Sequence, residues 1–423
     1  MHGALELPGV PAALPGLLQA ASGDQPLALV GGAVRDLLLH RVHNDPWRGL
    51  VDLDLVVEGS AAALVARLPG VLAAQEHGAY GTVELELQLG GQSVLLDVAT
   101  ARRETYLQLG ENPVVVFGSL ADDLARRDFT INAMAMLLTP VGGDQRQAQS
   151  APAMLDPYGG QVDLQQRQLR FLHAGSVADD PTRLVRGARY AARLGFALAE
   201  DALEQAKRTL SIWPWSWRHG DPPGLAPSAL GTRLRMELEL LLEREPWPQA
   251  LAVLQRWGGL LLLDHALQAE PAGVRERRLR WAQRLGLPLL TALVAAAADP
   301  LALAERLQLP HHQHKLLAQW LELRRRWQAL GSKGPGAPPL LDAAAWTLWL
   351  ETPGLSSDAA ALELACAGGL PRRPVLRWWL RWRHLKAPTS AAELMAAEGL
   401  RPGRALGQRL RALRLERLAL ERF

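Results

Sequence analysis

The chain has 423 residues, of which 48% are hydrophobic, and this length predicts two to four globular domains because it exceeds what one core can hold. The single cysteine, Cys366, excludes an internal disulfide framework and, with no basic and apolar leader at the start, predicts a cytoplasmic protein. The net charge of +3 does not indicate a nucleic-acid partner, and the longest charge-free apolar run, residues 285–298, is shorter than the ~20 residues of a membrane helix, so no membrane partner is expected.

The first 170 residues carry most of the strand signals. Segments with strand-like patterns occur at residues 26–30, 51–57, 82–89 and 93–99. Gly90 and Gly91 join the last two as a predicted hairpin. The polar, turn-rich stretch from Val141 to Ala153 predicts a surface insertion. We therefore expect an α/β domain with a mixed sheet and helices over residues 1–172.

The composition changes after Phe171. Leucine, alanine, arginine and tryptophan dominate with helical spacing, and all but one of the 14 tryptophans lie in this half. Two segments rich in proline and glycine, residues 213–228 and 331–339, divide it. The pattern predicts an all-α C-terminal half with a neck at residues 173–245 and a body and tail at residues 246–423.

A strand, a glycine pair and a helix follow one another in the segment LVGGAVRDLLLHR. This order leaves free backbone N–H groups at Gly31 and Gly32, at the positive end of a helix dipole, where a phosphate can bind. Arg35, one turn into the helix, adds a forked cation. A glycine pair before a helix can also be only a tight connection, so this segment alone does not decide between the two interpretations.

Two aspartates, Asp52 and Asp54, interrupt the apolar strand VDLDLVV. Residues two apart on a strand point to the same face, roughly 6.5 Å apart, so these carboxylates converge. Such carboxylates repel each other unless a cation lies between them, and Mg²⁺ takes oxygen ligands of this kind while leaving room for substrate phosphates. The alternative is a strand whose polar face lies in water. Together with the glycine pair, the acids favour a site where a metal holds a nucleoside triphosphate for attack by a hydroxyl.

Further motifs occur in a characteristic order and spacing. The set is GGAVRD, DLD, DLARRDFTINAMA, DPYGG, DDPTRLVRGARYAARLGF and, near the end, LRPGRALGQRLRAL. In this order they resemble the class II tRNA nucleotidyltransferase and bacterial poly(A) polymerase family. The resemblance covers residues 29–196 and the C-terminal segment, and it implies a nucleotidyltransferase palm followed by a helical neck, body and tail.

The resemblance also implies roles for individual residues. Asp52 and Asp54 would hold Mg²⁺ and act in catalysis. Arg127 would contact the incoming nucleotide, and Asp128 would orient the ribose or the surrounding loop. The nucleotide-binding residues implied in total are Gly31, Gly32, Arg35, Arg127, Asp128, Asp180, Arg183, Arg186 and Arg189.

A third catalytic acid is expected on a neighbouring strand, because the wider nucleotidyltransferase superfamily often has one. Asp97 in the segment LLDVA is the residue that fits. Its role would be to take the proton of the attacking hydroxyl. The alternative is a polar residue that only ends a strand.

Asp180 and Arg183, three residues apart at the start of a predicted helix, share a face and offer an acceptor beside a fork of donors. Cytosine and adenine, with an amino donor beside a ring-nitrogen acceptor, would fit, whereas uracil and guanine present the reverse polarity. A buried mismatch costs ~1–3 kcal/mol per unpaired group. The alternative is structural, because Asp180 before Pro181 is typical of a helix N-cap, with Gly195 ending the same helix. If Asp180 reads the base, we expect Asp179 to cap the helix.

The same predicted helix carries a basic stripe of Arg186, Arg189 and Arg193. Beside a triphosphate site, these side chains are expected to contact phosphates of the nucleotide or the RNA. The alternative is a solvated face whose arginines pair with acids elsewhere in the chain. The chain departs from the family pattern just before this stripe, where Asp179 replaces a glutamate.

The C-terminal half offers few site residues. Its tryptophans are expected to fill the core, except Trp378, Trp379 and Trp382, which alternate with arginines and are expected to touch RNA. The histidine cluster His311, His312 and His314 has no carboxylate at metal-ligand spacing and predicts an exposed turn rather than a metal site. The arginine-rich segments at residues 371–386 and 401–423 could also be only solvated helix faces.

The residues and the resemblance together predict a magnesium-dependent nucleotidyltransferase. An RNA 3′-hydroxyl would attack the α-phosphorus of CTP or ATP, and the expected RNA is the tRNA 3′ end, gripped by the helical half through shape and phosphate contacts. Three products stay open: full CCA addition, terminal A addition after a partner enzyme supplies CC, and poly(A) tailing. The lack of a long basic C-terminal extension favours tRNA. An RNA-binding protein that has lost catalysis is the alternative of another class, and the oligomeric state is not predicted.

Overall fold

The structure is a computed structural model. It describes residues 7–47, 49, 52–78, 81–139, 153–331 and 342–421. The predicted surface insertion, apart from Ala153, and the predicted break after Gly331 lie outside these residues. The chain forms two compact units. The first comprises Met1–Arg218, Pro227–Glu237 and Arg244–Gly259, and the second comprises His219–Ala226, Leu238–Glu243 and Leu260–Phe423.

The first unit contains all the strands found among the described residues. They are β1 (Leu27–Val30), β2 (Leu53–Val57), β3 (Val71–His77), β4 (Thr82–Leu89), β5 (Gln92–Thr100), β6 (Arg102–Thr105), β7 (Val114–Phe117), β8 (Ala135–Leu137), β9 (Met154–Leu155), β10 (Gln168–Leu169) and β11 (Ala197–Leu198). A seven-stranded mixed sheet has the order β3-β4-β5-β2-β1-β8-β9, and β6–β7 and β10–β11 form separate pairs. Only β2 and β5 run parallel within the large sheet.

The apolar pattern of the strands explains which faces are covered. All of β1 is buried, because the continuous run Leu27–Val30 lies in the middle of the sheet with elements on both faces. The predicted hairpin of β4 and β5 is confirmed, and Gly90 (φ 57°) and Gly91 (φ 84°) supply its turn in the positive-φ region. On one face, Val56 packs with Leu120 and Leu124, so Asp54, two residues before Val56, faces the same side.

The helices described up to residue 259 precede the strands along the chain, lie between them or follow them. They are α1 (Leu14–Ser22), α2 (Gly31–Arg41), α3 (Ala61–Val65), α4 (Leu120–Ala125), α5 (Gly160–Gln166), α6 (Ser176–Asp179), α7 (Thr182–Leu194), α8 (Glu200–Ile212), α9 (Thr232–Arg244) and α10 (Trp247–Arg256). Three-residue 3₁₀ turns occur at Thr130–Asn132, Pro223–Leu225 and Ser228–Leu230. The predicted neck, residues 173–245, is mostly helical and also contains the short strand β11.

Helix α7 packs closely against the loop that contains Phe129. A Cβ at Gly187 would lie 2.8 Å from Phe129 Cζ, so only glycine permits this approach. Phe129 also stacks on Phe171, with ring centroids 5.0 Å apart, and meets Tyr190 edge-on at 5.8 Å. These contacts place the predicted palm and most of the predicted neck in one unit. Gly195, at φ 74°, ends α7 as predicted.

The second unit is all-helical in its described part. Its further helices are α11 (His265–Ala269), α12 (Ala272–Arg284), α13 (Leu289–Val294), α14 (Pro300–Arg306), α15 (His311–Gly331), α16 (Ala343–Leu350), α17 (Ser357–Cys366), α18 (Arg372–Leu380), α19 (Ala391–Glu398) and α20 (Arg404–Ala419), with a short 3₁₀ segment at Gly259–Leu262 and another at Trp382–His384. The mixed sheet followed by a helical half confirms the predicted fold class. Among the described residues, none of the helices is both long and apolar enough to cross a bilayer.

The tryptophans of this unit fill its core. Trp346, Trp378 and Trp382 are buried together in one cluster, at 2%, 2% and 1% exposure. The expectation that Trp378 and Trp382 touch RNA is therefore wrong, because their rings are inside the unit. Trp379 is half-buried and lies under the guanidinium of Arg383, 3.5 Å from its ring centroid.

The histidine cluster begins a helix instead of forming a turn. His311, His312 and His314 belong to the first residues of α15, and the first two are exposed. The predicted exposed turn is wrong in its conformation, because the run that follows continues as a long helix.

Candidate active site

Three carboxylates lie side by side across the large sheet. Asp54 of β2 is directly opposite Asp97 of the parallel strand β5, and Asp97 is directly opposite Glu84 of β4. Paired residues on neighbouring strands point to the same face, with the strands about 4.8 Å apart. All three side chains line one cavity of about 610 Å³, within the size range of small-molecule sites.

The acids repel one another electrostatically. Burial raises the pKa of Asp54, Arg127 opposes this rise, and the charge of Asp52 adds to it. Burial and then the charges of Asp52 and Asp54 raise the pKa of Asp97 to about 6. Asp52 itself is exposed immediately before β2 and is not among the residues that line the cavity. The negative charge of Asp52 thus acts on Asp54, but Asp97 and not Asp52 is the carboxylate that lines the cavity together with Asp54.

A divalent cation fits these donors, because it would neutralise carboxylates that otherwise disfavour each other's charge. No group of three or more His, Cys, Asp or Glu side chains within the described residues is arranged to hold a metal ion by itself. Mg²⁺ commonly binds through one or two carboxylates and completes its shell with water and substrate phosphates. The site therefore suits a metal that arrives with a nucleotide.

The glycine turn lies against the acids. Gly31 has φ 67°, and a Cβ there would lie 2.9 Å from Arg127 Nη1 and 3.2 Å from Asp54 Oδ2. A side chain at this position would therefore be strained and would also displace both charged groups. Gly31 and Gly32 line the cavity at the start of α2, as the phosphate hypothesis requires.

Arg127 is held by a buried acid. Asp123, in α4, is fully buried and accepts hydrogen bonds from Arg127 Nη2 at 2.9 Å and Arg126 Nη2 at 2.6 Å. Burial raises the pKa of Asp123, but the charges of Arg127 and Arg126 outweigh burial and lower the pKa overall. The cation predicted to contact the nucleotide is thus fixed at the cavity wall, next to Gly31.

Arg35 lies beneath the glycine turn and is not among the cavity-lining residues. Its guanidinium is buried and donates to Asp36 Oδ1 at 2.8 Å and to Asn132 Oδ1 at 2.8 Å. The direct triphosphate contact predicted for Arg35 is not supported by this placement, because its neighbour Asp36 and the distant Asn132 take its donors. Arg35 Nη2 would lie 3.5 Å from a Cβ on Gly32, so it supports the turn from below.

Asp128 accepts hydrogen bonds that stabilise its own loop. Its Oδ1 accepts from Phe129 N at 2.8 Å and Asn132 Nδ2 at 2.9 Å, and its Oδ2 accepts from Arg186 Nε at 2.8 Å. Burial raises the pKa of Asp128, but Arg186 and the hydrogen bond from Asn132 outweigh burial and bring the pKa to about 2. Of the two roles predicted for Asp128, these contacts favour orientation of the loop.

The predicted base-reading pair lies in the cavity wall. Asp180 Oδ1 accepts from Thr182 N at 3.0 Å, so Asp180 caps α7. The expectation that Asp179 caps this helix is wrong, because Asp179 ends α6 and its Oδ2 lies 3.7 Å from His173 Nε2. Arg183 donates to two main-chain carbonyls, Ser176 O at 3.2 Å and Arg126 O at 3.1 Å, which fix its guanidinium.

The basic stripe on α7 is paired with acids. Arg186 Nη1 and Arg189 Nη1 both bond to the carboxylate of Glu237, at 2.9 and 2.5 Å. Arg189 and Arg193 also pair with Glu245, which is buried. The phosphate contacts predicted for this stripe are not supported for Arg189, which lies outside the cavity lining, whereas Arg186 still lines it. The alternative interpretation, a face paired with acids elsewhere, describes Arg189 and Arg193.

Several residues that line the cavity were not predicted from the sequence as site residues. They are Glu84, Tyr106, Asn132, Tyr190, Arg233 and Glu237. Tyr190 lies seven residues after Arg183 on α7, and this two-turn spacing was a usable signal. Arg233 of α9 pairs with Asp180 Oδ2 across 53 residues of sequence, and no local pattern indicates such a contact.

The fold and the site together define a class. A mixed sheet with neighbouring carboxylates beside a glycine turn, and a cavity walled by arginines, is the arrangement of a nucleotidyltransferase. The family described as "Poly A polymerase head domain" matches residues 27–170, which include the large sheet from β1 to β9.

Curated relatives narrow this class. A Deinococcus radiodurans protein named CC-adding tRNA nucleotidyltransferase is 39% identical over 317 residues, which are 72% of this chain and 73% of that protein. An A-adding tRNA nucleotidyltransferase of Halalkalibacterium halodurans is 37% identical over 187 residues, 43% of this chain and 39% of that protein. The chain belongs to the tRNA nucleotidyltransferase family of enzymes.

Solved structures agree on the fold. A CCA-adding enzyme in an apo form has a TM-score of 0.68 at 22% identity, covering 98% of this chain and 94% of its own. The Thermotoga maritima CCA-adding enzyme complexed with tRNA has a TM-score of 0.65 at 23% identity, covering 97% and 92%. The similarity extends through the helical half and confirms the predicted architecture.

Proposed function

We propose that the protein transfers cytidylate from CTP to the 3′ end of tRNA, without a nucleic-acid template, and leaves a CC end. The observation that carries the transfer chemistry is the single cavity lined by Asp54, Asp97, Gly31, Asp180 and Arg183. It combines carboxylates for a metal, backbone donors for phosphates and a donor–acceptor pair for a base.

The choice of product rests on the relatives. The match that covers 72% of this chain is to a protein named CC-adding, whereas the A-adding relative of Halalkalibacterium halodurans matches over 43%. The sequence alone indicated no CC product and left CCA addition, A addition and poly(A) tailing open. Addition of C and A together remains the second candidate, since proteins named CCA-adding share the fold.

In this proposal each part of the cavity has a task. The N–H groups at Gly31 and Gly32 and the Arg127 guanidinium would hold the triphosphate. Asp97, whose pKa of about 6 is near neutrality, would take the proton of the RNA 3′-hydroxyl as it attacks the α-phosphorus. A bound Mg²⁺, held by Asp54, would supply charge neutralisation at the phosphates.

Asp180 and Arg183 would select the base. Asp180 would accept from the amino group of cytosine, and the remaining N–H groups of Arg183 would donate to its ring nitrogen and carbonyl. Uracil would present a carbonyl to the aspartate and leave it unpaired. The protein side chains would thus replace a template strand.

Product sizing tests the proposal. Purified protein is incubated with Mg²⁺ and tRNA that lacks all three CCA nucleotides, or that already ends in CC, together with CTP, ATP or both. We expect two nucleotides to be added from CTP to the first tRNA and no extension of the second tRNA with ATP. A third nucleotide would establish CCA addition, extension of only the second tRNA would establish A addition, and long ladders with ATP would establish poly(A) tailing.

Pyrophosphate release distinguishes an enzyme from an RNA-binding protein without activity. We expect release to require CTP and tRNA and to be lost in Asp54→Asn, since that carboxylate faces the glycine turn. Binding of tRNA without any release in the wild type would support the inactive alternative.

A further inference from the structure

The carboxylate of Asp180 is held by neighbours on both of its oxygens. Oδ1 accepts from Thr182 N at 3.0 Å and from Thr182 Oγ1 at 2.6 Å. Oδ2 forms an ion pair with Arg233 Nη2. The Asp180 side chain is 9% exposed and lines the cavity together with Thr182 and Arg233.

Arg233 is itself fixed at a second point. Its Nη1 donates to the main-chain oxygen of Glu111, in the connection between β6 and β7, at 3.5 Å. The guanidinium therefore bridges an acid at the start of α7 and a loop that follows β6. A lysine at this position would keep the charge but would lack the planar fork that reaches both groups.

This arrangement leaves the carboxylate one open acceptor position. A carboxylate accepts about four hydrogen bonds, and three donors already occupy Asp180. Two of these donors are on Oδ1 and one is on Oδ2, so the open position is on Oδ2. Without the neighbours, rotation about χ2 of an aspartate is broad, so the acceptor would no longer have a fixed direction.

We propose that Thr182 and Arg233 are positioning residues that set the direction of the Asp180 acceptor and thereby determine which base the cavity accepts. The inference rests on the proposed function, because it assumes that the base of CTP meets Asp180. A fixed acceptor rejects uracil, whose carbonyl faces it, and a loosened acceptor turns away from that carbonyl and tolerates it.

The test compares kcat/KM for CTP and for UTP on the same tRNA in wild type and four variants, Arg233→Met, Arg233→Lys, Thr182→Val and Thr182→Ser, beside one control variant. Val has nearly the shape of Thr but lacks the hydroxyl, and Ser restores the hydroxyl. We expect the CTP-to-UTP ratio to fall about tenfold or more in Arg233→Met, Arg233→Lys and Thr182→Val, and to stay near wild type in Thr182→Ser. Arg244→Met, at the exposed end of the same helix, is the control and should keep both rates.

The outcomes are distinguishable. Equal losses with CTP and UTP in Arg233→Met and Thr182→Val, with the ratio unchanged, would make these residues merely structural and overturn the inference. Thermal unfolding identifies a variant that fails to fold, and in that case the Thr182→Val and Thr182→Ser pair decides. A wild type that does not incorporate CTP into tRNA at all would instead refute the proposed function, and the inference with it.

Discussion

Replacement of Gly31 by alanine tests the geometry at the centre of the site. Gly31 has φ 67°, and the added Cβ would lie 2.9 Å from Arg127 Nη1 and 3.2 Å from Asp54 Oδ2. Arg127 has little freedom to retreat, because Asp123 accepts two of its hydrogen bonds. The substitution therefore forces Arg127 and Asp54 apart.

The effects of this substitution on stability and on rate can be estimated separately. An alanine in the left-handed region costs about 1–2 kcal/mol of stability, whatever surrounds it. Relief of the 2.9 Å contact needs a shift of about half an ångström in a charged group of the site. Since a misplacement of about 1 Å can cost roughly 100-fold in rate, we expect kcat/KM to fall about 10- to 100-fold.

Gly90→Ala is the matched control. Gly90 has a similar φ of 57°, in the β4–β5 turn, and nothing lies within 4 Å of an added Cβ. We expect both variants to lose thermal stability, but only Gly31→Ala to lose the rate of CTP incorporation into tRNA. Wild-type activity in Gly31→Ala, or an equal loss of activity in Gly90→Ala, would refute the geometry.

Three further substitutions have expected outcomes. Asp54→Asn should abolish pyrophosphate release yet raise the thermal stability of the metal-free protein. Burial raises the pKa of Asp54, Arg127 opposes this rise and the charge of Asp52 adds to it, so the ionised carboxylate destabilises the fold. A lower melting temperature of the variant would contradict this. Asp123→Asn should lower stability by about 3 kcal/mol and slow transfer, because it removes the buried carboxylate that pairs with both Arg126 and Arg127. An unchanged urea midpoint would argue against it. Asp128 has a pKa of about 2 in the folded protein, below its unfolded value of about 4. Its ionised carboxylate therefore contributes about 2 kcal/mol to the free energy of unfolding above pH 4, and this contribution is lost as the pH falls toward 2. Unfolding free energy measured against pH should show this loss in wild type and not in Asp128→Asn.

The parts of the site that depend on local sequence were predictable. The glycine turn before α2 follows from an apolar strand that ends in Gly31-Gly32, and the cap of α7 follows from Asp180 before Pro181. The resemblance to the family located Arg127 and Arg183 at the cavity. These features are set by neighbours within a few residues, so the sequence pattern contains them.

Pairing between distant segments was not predictable in the same way. Asp97 faces Asp54 because β2 and β5 run parallel in register, and this partner was indicated by the wider superfamily and not by strand spacing. The periodicity of α7 showed that Arg186 and Arg189 share a face, but Glu237 and Glu245 reach them from later in the chain. A helix pattern identifies a charged face without identifying what covers it.

Asp180, which we propose reads the base, combines two features that the sequence presented as alternatives. Asp180 Oδ1 accepts from Thr182 N at the start of α7, and the Asp180 side chain also lines the cavity. A carboxylate has enough lone pairs for both, so an N-cap pattern does not exclude a recognition role. The same consideration applies wherever a helix begins at the wall of a cavity.

The central claim is that Asp54 holds a divalent metal together with the triphosphate beside Gly31. Titration of Mn²⁺ in the presence of a CTP analogue that cannot be cleaved, followed by the EPR signal of the free ion, tests it most directly. We expect wild type and Gly90→Ala to bind the ion equally well, and Asp54→Asn to bind it at least tenfold more weakly. Equal binding of Mn²⁺ by wild type and Asp54→Asn would contradict the claim.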